Sequence, residues 1–167
     1  GLKKNKNELD LVKFKKNKFD FNLIIKNLTI YLCKHIENQI KAGADLVQVF
    51  DSWAGLIPEK DIQNYCYNPN LEIVNFCKAK KIPIICFPKG IKEKYLEFQN
   101  FVKPDGLSLD YDIDPLWAKK NLGDRCLQGG MDPKILFKTE DVIFNEVDKY
   151  LKTFKDSPYI FNLGHGL

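Results

Sequence analysis

Five short apolar segments alternate with helical patterns along the chain, and this alternation constrains the fold more than any other feature. The segment DLVQVFDS is β-branched and alternates apolar with polar residues, which predicts a half-buried strand, and IPIICFP is a continuous apolar run typical of a strand buried on both faces. Three more strands are predicted in DGLSLDY, DRCLQGG and PYIFNLGHG. Because strands separated by helices assemble into parallel sheets, the sequence predicts an α/β fold with about five βα strands.

The intervening helices are predicted from apolar residues at helical spacing. The first covers residues 21–42, where Asp20 can cap its start and Gly43 can end it in the left-handed conformation. The second runs over about 58–80, with an interruption expected near Pro69. Further helical segments are KEKYLEFQNFV, DPLWAKKN, DPKILF and TEDVIFNEVDKYLKTF. A doubly wound sheet and a (β/α) barrel both fit this order.

Composition and charge exclude several classes of protein. An apolar fraction of 44% indicates a globular fold, and no uncharged apolar stretch reaches the ~18 residues that a membrane span needs. The net charge of +4 comes from dispersed lysines, because only Arg125 among 26 basic residues is an arginine. Solvated helix faces explain those lysines better than a nucleic-acid surface does, and no nucleic-acid partner is expected.

The cysteines indicate a reducing compartment. Five of them are scattered without a CxxC pair, which favours reduced, buried thiols in a cytoplasmic protein over a disulfide framework or a metal site. They are Cys33, Cys66, Cys77, Cys86 and Cys126.

Polar, aromatic and glycine residues cluster at the carboxyl ends of four of the five predicted strands. These ends are Phe50-Asp51-Ser52, Asp110-Tyr111, Gly129-Gly130 and Gly164-His165-Gly166. Ligands bind outside the carboxyl ends of parallel strands, in barrels and in open sheets alike. Turn chemistry alone explains any one of these ends, but four together favour a binding site.

Three motifs carry a resemblance to a known family. QIKAGADLVQVFDSWAG (39–55), LQGGMDP (127–133) and IFNLGHG (160–166) are similar to uroporphyrinogen decarboxylase, in the family's order and at compatible spacing. The resemblance implies that residues 1–167 are a partial domain, the C-terminal part of a (β/α)8 TIM barrel, without its N-terminal strands and its extreme C-terminus. It also implies an enzyme that removes four acetate carboxyl groups from uroporphyrinogen III without a metal or organic cofactor, in tetrapyrrole and haem biosynthesis, and that is a homodimer at full length.

The resemblance also assigns site residues. Ser52 aligns with a serine that contacts substrate, although a cap on the next turn is its structural alternative. Phe50 aligns with a phenylalanine that lines the pocket, and its structural alternative is an ordinary core phenylalanine. His165 aligns with the active-site histidine, which can bind or position a carboxylate and is the candidate catalytic residue. The other histidine, His35, is expected on the surface of the first helix.

Parts of the family pattern have no counterpart here. The arginine-rich segment, an aspartate and a tyrosine of the family lie in earlier strands, and Arg125 alone cannot meet the eight carboxylates of uroporphyrinogen. Lysines could substitute in part as point charges, but the four strand ends named above contain none. Gly130 and Met131 replace the usual asparagine and leucine, and Tyr111 replaces a tryptophan. This chain alone is therefore expected to be inactive.

Two other functions stay open. The first is a corrinoid-dependent methyltransferase of the same superfamily, which activates a thiol with zinc, although no His-x-Cys motif is present. The second is a lysine-rich binding module without catalysis, which salt-dependent binding of nucleic acid would support.

Overall fold

The structure, a computed structural model, describes residues 20–166. Its main helices are α1 (Phe21–Lys41), α2 (Glu59–Ile62), α3 (Asn68–Ala79), α4 (Tyr95–Val102), α5 (Pro115–Leu122) and α6 (Glu140–Thr153). Its strands are β1 (Val47–Asp51), β2 (Ile84–Pro88), β3 (Gly106–Leu109), β4 (Cys126–Gly129) and β5 (Tyr159–Ile160). The predicted alternation of strands and helices is confirmed.

The five strands form one parallel sheet in the order β1-β2-β3-β4-β5. A doubly wound sheet reverses its strand order at a switch point, whereas a barrel adds each strand beside the previous one. The consecutive order therefore decides the question that the sequence left open, in favour of barrel winding.

A side-chain contact shows that the sheet is curved. Gln128 Nε2 on β4 donates a hydrogen bond to Gln48 Oε1 on β1, at 3.3 Å, although two strands lie between them. In a flat sheet the two backbones would be about 14 Å apart, and side chains stand roughly perpendicular to the sheet. The contact forms because the sheet bends toward these side chains, as it does inside a barrel.

The convex face of the sheet carries the hydrophobic core. Leu107 and Leu109 of β3 are fully buried there, together with residues of the helices such as Val74 and Phe98. All five residues of β2 are buried, as its continuous apolar run predicts. None of the helices within residues 20–166 is long and apolar enough to cross a membrane.

The first helix has the ends that the sequence predicts. Asp20 caps α1 by accepting a hydrogen bond from Leu23 N at 3.1 Å, and Gly43 has a φ of +101°, which few residues other than glycine adopt. His35 lies exposed on this helix, as expected.

Two predicted elements differ from the observed ones. The irregular part of the second helix is a π-helical turn at Gln63–Tyr67, whereas Pro69 lies in the first turn of α3, where its missing N–H is tolerated. The fifth strand pairs with β4 only over Tyr159–Ile160, and an isolated bridge then joins Leu163 to Met131, two residues beyond β4. The glycine-flanked segment is thus a loop held at one point rather than a continuous strand.

Candidate functional site

A cavity of about 420 Å³ opens on the concave face of the sheet, at the carboxyl ends of its strands. Alternation along β1 turns Gln48, Phe50 and Ser52 to this face, because successive strand residues point to opposite sides. Across the cavity lies the segment 162–166. The structure thus places Phe50, Ser52 and His165, which the resemblance assigned to the site, around one space.

The two candidate side chains at the carboxyl end of β1 are available to a ligand. Phe50 is 63% exposed and makes an edge-to-face contact with Phe87, with ring centroids 6.1 Å apart. Ser52 is exposed, and the turn at Ala54–Leu56 has no side-chain cap. The capping role that was the structural alternative for Ser52 is therefore not observed, and its hydroxyl can donate to or accept from a ligand.

The loop that carries His165 is fixed by backbone contacts. Gly164 N donates to Met131 O at 2.7 Å, and a Cβ on Gly164 would lie 2.6 Å from Tyr111 N. Only glycine fits so close to another backbone. This close approach explains why a glycine stands before His165. The glycine after it is not required for the same reason, because a Cβ on Gly166 would meet nothing within 4 Å.

The imidazole of His165 has one nitrogen free for a ligand. Its Nδ1 lies 2.8 Å from Gly166 O, and because a carbonyl oxygen only accepts, this contact is a hydrogen bond when Nδ1 carries the proton. Nε2 has no partner among residues 20–166 and can accept a hydrogen bond, or donate one when the ring is protonated.

The floor of the cavity is polar. Gln48 and Ser108 line it, and Gln128 bonds to Gln48 from the opposite side. Gln48 Nε2 is buried and has no acceptor among the described residues. A buried donor without an acceptor is costly, so this amide favours a ligand or water oxygen above it.

The two carboxylates at the strand ends serve the fold, not this cavity. Asp51 faces the helices, where Asn70 Nδ2 donates to its Oδ2 at 3.3 Å. Asp110 is 3% exposed, and its Oδ2 accepts hydrogen bonds from Gly90 N at 2.5 Å and from Tyr95 Oη at 3.2 Å. Burial raises the pKa of both carboxyl groups, and in Asp110 the bond from Gly90 N opposes this shift.

Replacing Asp110 by alanine is expected to lower the free energy of unfolding by about 2–4 kcal/mol, because Gly90 N–H and Tyr95 O–H then lose a buried acceptor. The measurement is denaturant unfolding of the parent protein, by which we mean the product of the complete reading frame that contains this sequence. Asp110→Asn is the matched control, because an amide oxygen still accepts from Gly90 N. Equal losses in the two variants would contradict this role.

The same pair of variants gives a pH dependence with a defined sign. Since folding raises the pKa of Asp110, its carboxyl contributes most stability at a pH below the unfolded value of about 3.9, and that contribution is lost as the pH rises through the folded value. The stability of Asp110→Asn relative to the native chain should therefore increase as the pH rises from about 4. A relative stability that falls over this range would contradict the direction.

A second, smaller cavity of about 220 Å³ adjoins the first. His165 and Gly166 line both, and the smaller one also contains Lys134 and Phe137. Lys134 is not among the strand-end residues that the sequence analysis named. Lys134 is four residues beyond the predicted strand, and the short 3-10 helix Pro133–Phe137 brings it back to the cavity.

The arginine and the unusual residues of the second motif have structural roles. Arg125 precedes β4, at the opposite end of the sheet, where its Nη1 donates to Pro104 O at 2.6 Å. Gly130 has a φ of +99°, a region that asparagine enters more readily than most residues with a side chain, so glycine preserves the turn. Met131 is 2% exposed, and methionine for leucine keeps the buried volume.

The described residues contain no group of three or more His, Cys, Asp or Glu side chains arranged to hold a metal ion. The five cysteines are all free, and three of them, Cys66, Cys77 and Cys86, are buried. Burial raises the pKa of the Cys77 thiol to about 11, which keeps it protonated at neutral pH.

The consecutive parallel strands and the curved sheet define the class, which is barrel structure of the (β/α) type. Its cavity lies at the carboxyl ends of the strands, where such barrels have their ligand sites. A family model described as uroporphyrinogen decarboxylase (URO-D) matches residues 7–167. The chain belongs to the uroporphyrinogen decarboxylase family.

Individual relatives agree with this membership. A protein of Orientia tsutsugamushi (strain Boryong) named uroporphyrinogen decarboxylase is 40% identical over 149 residues, which cover 86% of this chain and 43% of that protein. A protein of the same name from Jannaschia sp. (strain CCS1) is 35% identical, and the match covers 44% of its length. Another from Chlorobaculum parvum is 34% identical, and the match covers 43% of its length. The chain therefore spans less than half the length of these relatives.

Proposed function

We propose that the parent protein is a carboxy-lyase that converts uroporphyrinogen III to coproporphyrinogen III by removing four acetate carboxyl groups. The observation that carries the proposal is the joint placement of Phe50, Ser52 and His165 on one cavity in a chain of this family. By analogy with the family, the reaction serves tetrapyrrole and haem biosynthesis in the cytoplasm, and the enzyme is a homodimer that needs no cofactor.

The residues present fit parts of this chemistry. Loss of CO2 from a pyrrole acetate leaves an electron pair, and a protonated pyrrole ring can accept it, so the reaction needs a positioned substrate rather than an organic cofactor. Phe50 offers an apolar face to the macrocycle. Ser52 Oγ and His165 Nε2 can hold a substrate carboxylate from opposite sides of the cavity. The aspartate that faces the pyrrole N–H groups in the family has no counterpart in this chain.

We expect His165→Ala in the parent protein to lower kcat/KM for uroporphyrinogen by roughly 10- to 100-fold, because a hydrogen bond to a charged group contributes about 1.5–3 kcal/mol. The loss should be smaller than that caused by removing the family's aspartate. The assay is anaerobic turnover, followed by chromatography of the oxidised porphyrins. His35→Ala is the control, since it removes the chain's other histidine from an exposed helix. Equal rates for the two variants would exclude His165 from the site.

The rival activity has a different signature. A corrinoid-dependent methyltransferase of this superfamily binds zinc and transfers a methyl group to a thiol. Elemental analysis of the parent protein, together with the porphyrin assay, separates the two. A stoichiometric zinc content without decarboxylation would refute the decarboxylase proposal.

A further inference from the structure

The smaller cavity has the features of a subsite rather than of a separate site. We call the space lined by Tyr111, Asp132, Pro133, Lys134, Phe137 and His165 the lysine lobe. At about 220 Å³ it is smaller than the pockets that usually enclose a whole drug-sized ligand. Because His165 lines both spaces, a ligand in the main cavity can extend one substituent past the imidazole into the lobe.

The walls of the lysine lobe suit a ring that carries an anionic group. Tyr111 is 45% exposed and Phe137 80% exposed, which leaves two aromatic side chains on the lobe without full cover. Lys134 is exposed, and no ion pair joins it to a carboxylate among residues 20–166. The carboxylate of the lobe, Asp132, already accepts a hydrogen bond from Lys134 N at 2.9 Å, as the cap of the short helix.

Among the cations that line cavities at the carboxyl ends of the strands, Lys134 is the best placed for an anion. The one arginine is bonded to a carbonyl at the other end of the sheet. Lys92 also lies at the carboxyl ends of the strands, but its cavity contains three carboxylates, those of Glu93, Asp112 and Asp114. The lysine lobe contains one, that of Asp132, so it disfavours an anion less. Lys134, in contrast, shares its cavity with the histidine of the main site.

We propose that the Lys134 ammonium binds a carboxylate of the substrate in the lysine lobe, with a pyrrole ring against Tyr111 and Phe137. This inference rests on the proposed function, which supplies a substrate with eight carboxylates. It adds a specificity-determining lysine that stands on this chain's own short helix, four residues beyond the glycine pair. Lys134 binds substrate there and takes no part in bond breaking.

Charge reversal in the parent protein tests the proposal. Lys134→Glu is expected to raise KM for uroporphyrinogen by about 10-fold or more, because it replaces a charge-assisted contact by repulsion. Lys138→Glu makes the same change in net charge at an exposed residue outside the lobe, and its KM should change less than about 2-fold. Lys134→Arg should stay close to the native KM. Lys134→Gln, which introduces no new charge, should raise KM by several-fold.

A binding measurement complements the kinetics. Quenching of uroporphyrin fluorescence gives a dissociation constant for each variant, and we expect the same order as for KM. Similar effects of Lys134→Glu and Lys138→Glu would overturn the proposal, as would a loss confined to kcat. If the native parent protein turns over no uroporphyrinogen, the proposed function itself is wrong. If the native protein is active but Lys134→Glu and Lys138→Glu behave alike, only the role of Lys134 is wrong.

Discussion

Gly164→Ala is expected to lower kcat/KM of the parent protein by about 100-fold or more. The added Cβ would lie 2.6 Å from Tyr111 N and 2.9 Å from Tyr111 Cα, so backbone rather than a flexible side chain must move. The loop bearing His165 then shifts away from the cavity, and a misplacement of about 1 Å can cost 100-fold in rate. Overpacking of this kind also costs about 1–3 kcal/mol of stability.

Gly166→Ala is the matched control for this prediction. It makes the same substitution on the other side of His165, at a residue whose Cβ would meet nothing within 4 Å. We expect its kcat/KM to fall less than that of Gly164→Ala, because Gly166 lines the cavities but its added Cβ displaces no backbone. If both variants keep native activity, the contact between Gly164 and Tyr111 does not position the histidine.

This chain on its own is expected to show no measurable decarboxylation of uroporphyrinogen. It spans about 44% of the length of the Jannaschia relative. The resemblance implies that the family's aspartate and arginine-rich segment have no counterpart among its residues. Loss of one group that stabilises developing charge typically costs ~100- to 1000-fold in rate, and loss of the groups that bind the carboxylates adds to that. The anaerobic porphyrin assay, run on the purified chain and on the parent protein at equal concentrations, measures the difference.

Co-expression with the rest of a relative gives the second arm of this experiment. The part of the Orientia tsutsugamushi relative that lies outside the matched residues, added as a separate chain, should restore turnover if it pairs with an open edge of the sheet. Turnover by the purified chain alone would contradict the expectation that residues outside it are required.

The positions of the strands could be predicted from the sequence, but their order in the sheet could not. Each of the five strands was predicted near its observed position, because alternation and buried runs are local properties of the chain. The direction in which strands add to the sheet is not local. It emerges only from pairings such as that of Val47 with Ile84 and of Gly106 with Cys126, and from the contact of Gln48 with Gln128.

The candidate site shows a similar division. Phe50, Ser52 and His165 were predicted because strand ends and motifs mark them in the sequence. Lys134 was not, because its place at the cavity depends on the 3-10 helix that follows β4 and on the loop that brings His165 across. Asp110 has the same kind of position in the sequence as Ser52, yet it is buried, and only its contacts with Gly90 and Tyr95 reveal its structural role.

The position of a bound macrocycle tests the assignment of the site most directly. The measurement is a crystal structure of the parent protein, from crystals grown anaerobically with coproporphyrinogen III. We predict the tetrapyrrole at the carboxyl ends of the strands, in contact with Phe50 and Ser52, with a carboxylate at His165 Nε2. A tetrapyrrole bound elsewhere, with this cavity filled by protein side chains, would contradict the assignment.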